Sequence, residues 1–327
     1  MSALWTPEYT DTALWLDGAD ASTVVTDASG GAAEWHDKGS AGLVFTDGGI
    51  GKPIYVENQY NGNSALSFDH AAFWTPDTTL ASNVDAFTVF HVAKHLDGGD
   101  FNIFRVTNGE HAGRIRNCAG FGDLGYRRLD SDDYTKVSYG LDAPTGLTIT
   151  AHTTDYGNGQ AYVARDGSEP NNYTSLISSG RTDTTPSLRI HMGASYSGSW
   201  SQEFIGDICE VIAFRRVLSA ADRQTIEGYL AHKWGLEANL PSDHLYKTSA
   251  PQRYTISGVI TGSDGNPAAR AVRLYDRSTG LFLGETTSDA TTGAYEIVTA
   301  ANGESQRVVL ADEGVFYNHI IDRVIPA

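Results

Sequence analysis

The sequence contains very little sulfur, few prolines and no long apolar run. Among its 327 residues are two cysteines, two methionines and ten prolines. Two cysteines can form at most one bridge, so we expect Cys118 and Cys209 to be reduced, buried thiols. No apolar run is long enough to cross a bilayer. The opening MSALWTPEYTD lacks both the basic n-region and the apolar h-region of a signal peptide. The sequence therefore predicts synthesis in a cytoplasm and no membrane insertion.

Positive charge is also scarce in this chain. Lys and Arg number 23 against 40 Asp and Glu, which gives a formal net charge of −17. Residues 253–327 hold 6 basic and 9 acidic side chains, and the remainder holds 17 and 31, so the two parts carry −3 and −14. An acidic surface of this kind repels polyanions at long range. We therefore expect no nucleic-acid partner.

The sequence lacks the residue patterns of common catalytic sites. Glycoside hydrolysis needs two carboxyl groups on one face, which a strand supplies at alternate positions, and no Glu-x-Asp-x-Glu triplet is present. Asp207 and Glu210 are three residues apart, and an ideal strand places them on opposite faces. The run from Gly120 to Gly125 matches a dinucleotide fingerprint by letters, but no helical periodicity follows it. The chain is therefore expected to be non-enzymatic and, calcium apart, to need no cofactor.

Short strands and turns fill most of the chain, which contains 35 glycines. The run from Phe87 to His95 alternates as a strand does and places His91 and His95 on one face. Four residues of strand span about 13 Å, too far for both imidazoles to hold one metal ion. We expect these two histidines to be half-buried or surface side chains.

One stretch, Phe204 to Leu236, combines a strand that is apolar on both faces with a helical pattern. The even spacing of Ile208, Ile212 and Phe214 predicts that these three side chains lie on one face of the strand. Ser219 then offers a helix N-cap, and Gly235 offers the left-handed residue that ends a helix. We expect this single helix to lie across a β-sandwich and to close one end of its core.

Two separated groups of motifs carry a resemblance to a known family. TALWLDGAD, AAEWHDKG, GKPIYVENQYNG and ALSFD stand near the start, and GDICEVI and LSAADRQTIEGYLAHKWGL stand near residue 236. Together they resemble the concanavalin A-like (laminin-G-like) modules of phage and bacterial surface proteins, over Ala3 to roughly Ala250. His70 stands where those modules usually carry glycine. The resemblance implies a jelly-roll β-sandwich with one C-terminal helix, and it implies no particular activity.

Residues 253–327 have the pattern of a different, smaller module. Turns at DGNP, STG and TTG separate short apolar runs, which predicts a small sandwich of about seven strands. These segments, and the closing YNHIIDRVIP, resemble immunoglobulin-like or carboxypeptidase-regulatory-like modules appended to phage virion proteins. The predicted architecture is therefore all-β, with a concanavalin A-like domain over 1–250 and an immunoglobulin-like domain over 253–327.

Aromatic side chains in loops are the candidate carbohydrate-binding residues, because an aromatic ring can stack on a sugar face. The candidates in Gly-, Ser- and Asp-rich sequence are Tyr126, Tyr134, Tyr173, Tyr196 and Trp200. The alternative for each is local packing over an edge of the sandwich. Laminin-G-like modules often hold calcium at a loop rim, and the loop with Asp97 and Asp100 offers oxygen ligands for it. A solvated acidic turn is the alternative there.

The two resemblances together imply a structural protein of a tailed-bacteriophage virion, exposed on the particle surface as a capsid decoration, fibre or tail-associated protein. Its partners would be other virion proteins and, through the concanavalin A-like domain, host-surface glycans. A trimer is implied by analogy with phage appendages, and no heptad repeat supports it. Two alternatives stay open: a tail receptor-binding or polysaccharide-depolymerising protein, and a purely architectural decoration protein without a ligand.

Overall fold

The structure is a computed structural model of the full chain, and it describes most of the residues. The described ranges are 4–96, 103–107, 116–119, 123–129, 132, 135–138, 144, 146–173, 179–184, 188–196, 200–201, 203–278, 280, 282–300, 305–309 and 319–324. The chain divides into two compact units: one spans Thr10–Ser249, and the other joins Met1–Tyr9 to Ala250–Ala327. The sequence-based assignment, 1–250 and 253–327, places the first nine residues in the larger domain instead.

The larger unit is built almost entirely from short strands. In chain order these are β1 (Leu14–Asp17), β2 (Val24–Thr26), β3 (Ala32–His36), β4 (Val44–Asp47), β5 (Ile54–Tyr60), β6 (Asn63–Asp69), β7 (Phe73–Trp74), β8 (Ala86–His95), β9 (Phe104–Thr107), β10 (Arg116–Ala119), β11 (Asp123–Arg127), β12 (Thr135–Ser138), β13 (Thr148–Asp155), β14 (Gln160–Arg165), β15 (Asn171–Tyr173), β16 (Arg189–Met192), β17 (Ser195–Tyr196), β18 (Trp200–Ser201) and β19 (Ile205–Phe214). The helix α1 (Ala220–Trp234) follows β19. Over the described ranges α1 is the single α-helix, which confirms the all-β prediction.

These strands form two large antiparallel sheets and one small hairpin. The eight-stranded sheet has the order β15-β14-β13-β8-β19-β6-β5, with β1 also paired to β19. The nine-stranded sheet has the order β12-β11-β10-β9-β16-β7-β4-β3-β2, and β17 pairs only with β18. Two broad sheets with apolar inner faces make a sandwich.

Aromatic contacts show how the two sheets face each other. Phe87 of β8 stacks on Phe104 of β9 with ring centroids 6.4 Å apart, and Phe68 of β6 meets Phe73 of β7 edge-on at 6.1 Å. Strand β8 therefore faces β9, and β6 faces β7. Because both strand orders run the same way from these contacts, β13–β15 and β10–β12 lie along the same side of the sandwich. A single cluster of buried apolar side chains fills the space between the sheets.

The helix α1 covers the outer face of the eight-stranded sheet. Its N-cap is Ser219, whose side chain accepts a hydrogen bond from the Asp222 N–H, and its C-cap is Gly235 with φ of 72°. Both predicted helix ends are thus confirmed. Tyr229 meets Trp15 of β1 edge-on at 6.4 Å, whereas no α1 residue belongs to the core between the sheets. The prediction that the helix closes one end of that core is therefore wrong.

Strand β19 contains a β-bulge at Cys209, which is a buried free thiol. Ile208 pairs across the sheet with Ala93, and Glu210 pairs with Val92, so Cys209 has no partner in this register. An extra residue in one strand shifts the alternation of every side chain beyond it. Before the bulge the even-numbered residues of β19 face the core, and after it the odd-numbered residues do.

This bulge corrects two predictions made from even spacing. Ile208 was expected on one face with Ile212 and Phe214, but Ile208 lies in the core between the sheets and Phe214 lies on the outer face. Asp207 and Glu210 were expected on opposite faces, but the extra residue between them places both on the outer face of the sheet. A bulge leaves no periodic signal in the sequence, which is why the alternation rule failed here.

The smaller unit is also antiparallel β-structure. Its strands are β20 (Tyr254–Val259), β21 (Ala271–Asp276), β22 (Phe282–Thr287), β23 (Ala294–Thr299), β24 (Ser305–Val309) and β25 (His319–Val324). β20 pairs with β23, and the others form a sheet in the order β22-β21-β24-β25 around a small apolar core. Residues 4–5 join this unit because Leu4 bridges Gln252 and the Trp5 N–H donates to the Pro251 carbonyl at 3.1 Å. Its immunoglobulin-like identity stays a prediction.

Candidate functional site

The motif residues that carry the family resemblance meet beneath α1. Glu210 of β19 is fully buried and accepts hydrogen bonds from the indole N–H groups of Trp15 and Trp234, each at 2.7 Å. The Tyr229 hydroxyl donates to the same carboxylate at 2.9 Å, and Lys233 Nζ lies 2.8 Å from it. These residues come from the LWLD, GDICEVI and YLAHKWGL motifs. The motifs therefore join β1, β19 and α1.

Lys233 links this carboxylate to a second one. Its Nζ lies 2.6 Å from Asp17, and Lys38 Nζ lies 3.1 Å from the other Asp17 oxygen. Burial raises the pKa of Glu210, and the charge of Lys233 opposes that rise. Donors surround the Glu210 carboxylate, which is closed to water. These acids therefore fasten the helix to the sheet and are not placed to attack a substrate. We name Trp15, Asp17, Glu210, Tyr229, Lys233 and Trp234 the polar lock.

A second buried polar pair lies on the inner face of the eight-stranded sheet. The Nε2 atoms of His91 and His152 are 3.1 Å apart, and the two rings stack with centroids 5.2 Å apart. Burial, followed by the charges of His152 and Arg165, lowers the pKa of His91 well below its usual value. Both rings are buried, as is His95 on the same strand. The expectation of half-buried or surface histidines is therefore wrong, because β8 lies in the middle of the sheet.

The outer face of the nine-stranded sheet is basic at one end. The core between the sheets includes Phe104, Val106, Ile190 and Met192 from β9 and β16. Side chains alternate along a strand, so Arg105 of β9 and Arg189 and His191 of β16 lie on the outer face. Directly opposed residues of neighbouring strands lie on the same face of a sheet. The outer positions of β10, β11 and β12 can therefore be read from their cross-strand partners.

Two cross-strand rows define the basic area. In one row Thr107 is the partner of both Arg189 and Arg116, and Arg116 is also the partner of Arg127. In the next row Arg105 is the partner of His191 and Cys118, and the row continues through Gly125 to Lys136. We name Arg105, Arg116, Arg127, Lys136 and Arg189 the cationic face. Within β9–β12 and β16, Asp123 is the single acid at an outer position.

The side chains at the β7–β16 end of this face form a layered contact. The Arg189 guanidinium lies 4.9 Å from the centroid of the half-buried Trp74 ring, and its Nε is 3.3 Å from Asp77. Arg189 keeps 44% of its side chain exposed, whereas Arg105 and His191 are buried. Burial, followed by the charges of Arg105 and Arg189, lowers the pKa of His191 to about 4. Arg189 is therefore accessible and Trp74 is partly so, whereas Arg105 and His191 are covered.

The structure brings together two of the five predicted carbohydrate-binding residues. Tyr196 and Trp200 are directly opposed in the β17–β18 hairpin. This hairpin follows β16, the strand that pairs with the Trp74 strand β7. Tyr126 lies in β11, between Asn117 and Thr135 in the register. Tyr173 lies in β15 at the edge of the other sheet, and Tyr134 lies outside the described residues. The assignment of these five residues to a glycan site stays a prediction.

The predicted calcium ligands, Asp97 and Asp100, lie outside the described residues. In the described ranges no group of three or more His, Cys, Asp or Glu side chains is placed to hold a metal ion. A helix long and apolar enough to span a membrane is likewise not found among the described elements. Calcium binding therefore stays a prediction.

Sequence reasoning missed the cationic face, although the signal was present. The segment FRVT places Arg105 between two apolar residues, and LRIHM places Arg189 and His191 around Ile190 in the same alternation. Each strand by itself shows one or two basic residues, which is ordinary for an exposed face. The concentration appears only when the order β16-β9-β10-β11-β12 is known, because these strands are distant in sequence.

Comparison with known proteins gives structural similarity but no sequence family. No protein-family model matches the chain, and no curated protein sequence matches it. Domain 4 of an extracellular GH43 arabinanase from Geobacillus stearothermophilus, in complex with arabinotriose, covers 65% of this chain and 97% of its own length. Its identity is 16% and its TM-score is 0.46.

Two other solved structures are similar to this chain at comparable levels. The binding domain of botulinum neurotoxin DC, in complex with rat synaptotagmin II, has a TM-score of 0.47 and 10% identity, covering 97% of this chain and 93% of its own. The SAP-like pentraxin of Limulus polyphemus has a TM-score of 0.39 and 12% identity, with 75% and 92% covered. All three TM-scores are below 0.5, so these similarities assign no function to this chain.

Proposed function

We propose that the chain is a non-enzymatic structural protein that binds host-surface glycans on the outer face of its nine-stranded sheet. The observation that carries this proposal is the contact of the exposed Arg189 side chain with the half-buried Trp74 ring and with Asp77. Sugars present hydroxyl groups to planar charged side chains and a C–H face to an indole ring. Tyr196 and Trp200, which are directly opposed in the hairpin that follows β16, are further candidates for this function.

A glycan array followed by isothermal titration calorimetry tests the binding function. We expect saturable binding of at least one host-surface glycan to the full chain, weakened by Trp74→Ala. Leu245→Ala is the matched control, because Leu245 is an exposed apolar residue in the segment after α1. Absence of binding at millimolar sugar would contradict the proposal and would leave a purely architectural protein.

The non-enzymatic part of the proposal rests on the polar lock. Its two carboxylates, Asp17 and Glu210, both form ion pairs with Lys233 beneath the helix. Neither carboxylate is therefore available to act on a substrate. We expect no release of reducing ends when the chain is incubated with the polysaccharide that it binds. A steady release that survives purification would assign a depolymerase instead.

The virion location is supported by sequence resemblance. The motifs shared with modules of phage surface proteins make the polar lock, and the HIIDRV part of the closing segment forms β25. We propose that the chain lies on the surface of a tailed-phage particle and contacts other virion proteins. Gold-labelled antibodies against the chain should then decorate intact particles on the capsid or tail. Labelling only of disrupted particles would contradict a surface location.

A further inference from the structure

The polar lock places a lysine amine directly against a buried carboxylate. Lys233 Nζ lies 2.6 Å from Asp17 Oδ1 and 2.8 Å from Glu210 Oε2. The Asp17 and Glu210 side chains keep 6% and 0% of their surface exposed, and Lys233 keeps 16%. Asp17 comes from β1, Glu210 from β19 and Lys233 from α1. Three distant segments therefore bring an amine, a carboxyl group and a second acid together out of bulk water.

Burial of these groups favours their neutral forms. Taking an ammonium and a carboxylate out of water is costly, and transfer of a proton from the first to the second removes both charges. Burial raises the pKa of Glu210, and the charge of Lys233 opposes that rise. The indoles of Trp15 and Trp234, each donating at 2.7 Å, fix the Glu210 carboxylate beside the amine. Glu210 is therefore placed to take a proton from Lys233, and a neutral amine is a nucleophile.

The Asp17 carboxyl group is held at both of its oxygens. Its Oδ1 accepts a hydrogen bond from the Ala19 N–H at 3.1 Å and contacts Lys233, whereas its Oδ2 lies 3.1 Å from Lys38 Nζ. A cation fixed beside a carboxyl oxygen stabilises the negative charge that develops there when a nucleophile adds to the carbon. Lys38 can therefore activate Asp17 towards the Lys233 amine.

We propose that Lys233 and Asp17 condense to form an intramolecular isopeptide bond, with Glu210 as the proton carrier. Glu210 takes a proton from the ammonium, and the amine then attacks the Asp17 carboxyl carbon, so that a C–N bond forms. A C–O bond breaks as Oδ1 leaves as water, with two protons that come from Lys233, one of them through Glu210. Oδ2, beside Lys38, becomes the amide oxygen. One ammonium and one carboxylate thus become one neutral amide and one water, and no co-reactant is needed.

This crosslink does not rest on the proposed glycan-binding function, and it changes how the larger unit resists unfolding. The bond closes a covalent loop from residue 17 to residue 233, within a unit that spans Thr10–Ser249. A crosslink over so long a loop lowers the entropy of the unfolded chain and so stabilises the fold. The two cysteines do not supply such a crosslink, because Cys209 is a free thiol.

Mass spectrometry of the full chain, unfolded in denaturant, is the direct test. The purified protein should weigh less than its sequence by the mass of one water molecule. Trypsin cleaves after lysine and arginine, so the digest should contain a branched peptide that joins residues 1–38 to residues 224–247, with Lys233 uncleaved. Fragmentation of this peptide should place the new amide between Asp17 and Lys233.

Matched variants separate the crosslink from an ordinary ion pair. Lys233→Arg keeps the positive charge but has no amine that can condense, so it should show its full sequence mass and no branched peptide. Glu210→Gln removes the proton carrier and should leave most of the chain unlinked. Lys52→Arg is the control, because Lys52 lies 2.8 Å from Asp27 in an exposed ion pair, and this variant should lose one water as the parent does. Circular dichroism checks that each variant is folded, and the branched peptide of the parent decides the matter if one is not.

Three results would overturn the inference. Asp17 precedes Gly18, and an aspartyl-glycine pair can also lose water by cyclising to a succinimide. A loss of water that persists in Lys233→Arg, without a branched peptide, would assign that reaction instead. A parent chain at its full sequence mass would leave the polar lock as a cluster of ion pairs, and a branched peptide through another lysine would contradict the role of Lys233. None of these results bears on glycan binding, which the array tests separately.

Discussion

At the scale of single residues, Glu210 shows how a carboxylate can be buried in this sandwich. Its oxygens accept from two indoles and one phenol, and Lys233 provides the compensating charge. The desolvation of a buried ion is offset only when its hydrogen bonds are all made. The cluster is therefore sensitive to the loss of any one member, because the remaining groups would stay buried without a partner.

Replacing this carboxylate tests the polar lock. Glu210→Gln keeps the shape but turns an amide donor towards Trp15, Trp234 and Lys233, so we expect the free energy of unfolding to fall by about 3–5 kcal/mol. Urea unfolding followed by tryptophan fluorescence measures the change. Asp85→Asn is the matched control, since Asp85 forms an exposed ion pair with Arg181 and its loss should leave the free energy of unfolding almost unchanged. A loss in Glu210→Gln as small as that in the control would contradict the lock.

His191 predicts a loss of stability in mild acid. Its folded-state pKa is about 4, below the ordinary value of 6.5, so the unfolded chain binds more protons between those values. Stability should therefore decrease as the pH falls through this window, by about 2 kcal/mol between about pH 7 and pH 5. His91 contributes with the same sign. Urea unfolding of His191→Gln should show a smaller decrease, and an identical decrease in both proteins would contradict this assignment.

Residue-level prediction from sequence succeeded where a local rule decides the conformation. The N-cap at Ser219 and the left-handed Gly235 are confirmed because capping depends on neighbouring residues alone. His70 also shows the left-handed φ, 52°, at the position where the resembled modules carry glycine. The burial of His91 was not foreseen, because it depends on where β8 lies in the sheet.

At the scale of elements, α1 is held from both sides. Its inner side meets the polar lock, and its outer side is covered by the segment after Gly235. Glu227 binds Arg223 at 2.7 Å and lies 3.3 Å from His244 of that segment. The His232 ring contacts the Tyr246 carbonyl at 2.8 Å. The helix is therefore buried along two faces, which the single apolar stripe in the sequence did not indicate.

A glycine in the middle of α1 allows the close approach of this covering segment. A Cβ atom on Gly228 would lie 2.5 Å from the Cβ of Tyr246. Gly228→Ala should therefore lower the free energy of unfolding by about 1–3 kcal/mol, although alanine favours helix formation. Chemical denaturation measures this loss. Gly146→Ala is the control, because no atom lies within 4 Å of its added Cβ. A Gly228→Ala protein more stable than the parent would contradict the packing.

The sequence was sufficient to predict where strands form, but it did not indicate which strands pair with each other. The runs that became β8 and β19 were predicted to be strands. The bulge at Cys209 and the assembly of β16 with β9–β12 arise from pairing between distant segments. Consequently the carboxylate pair Asp207 and Glu210 was placed on the wrong faces, and the five cations of the outer face were not recognised as a group.

At the scale of the whole molecule, the larger unit has a buried cluster of paired charges on one sheet and a row of basic residues on the other. The polar lock holds α1 on the eight-stranded sheet, and we propose the outer face of the nine-stranded sheet as the surface for a ligand. The smaller unit has its own core and sheets, so its strands need not change when the larger unit binds a glycan. We therefore expect binding to be a property of residues 10–249.

Hydrogen–deuterium exchange of the full chain, with and without the tightest-binding glycan of the array, tests this account most directly. Exchange should slow in peptides that cover β7, β16 and β9–β12, because a ligand across these strands would hold their hydrogen bonds closed. It should stay unchanged in β20–β23. Slower exchange confined to the smaller unit, or to β5 and β6 of the other sheet, would contradict the placement of the binding site.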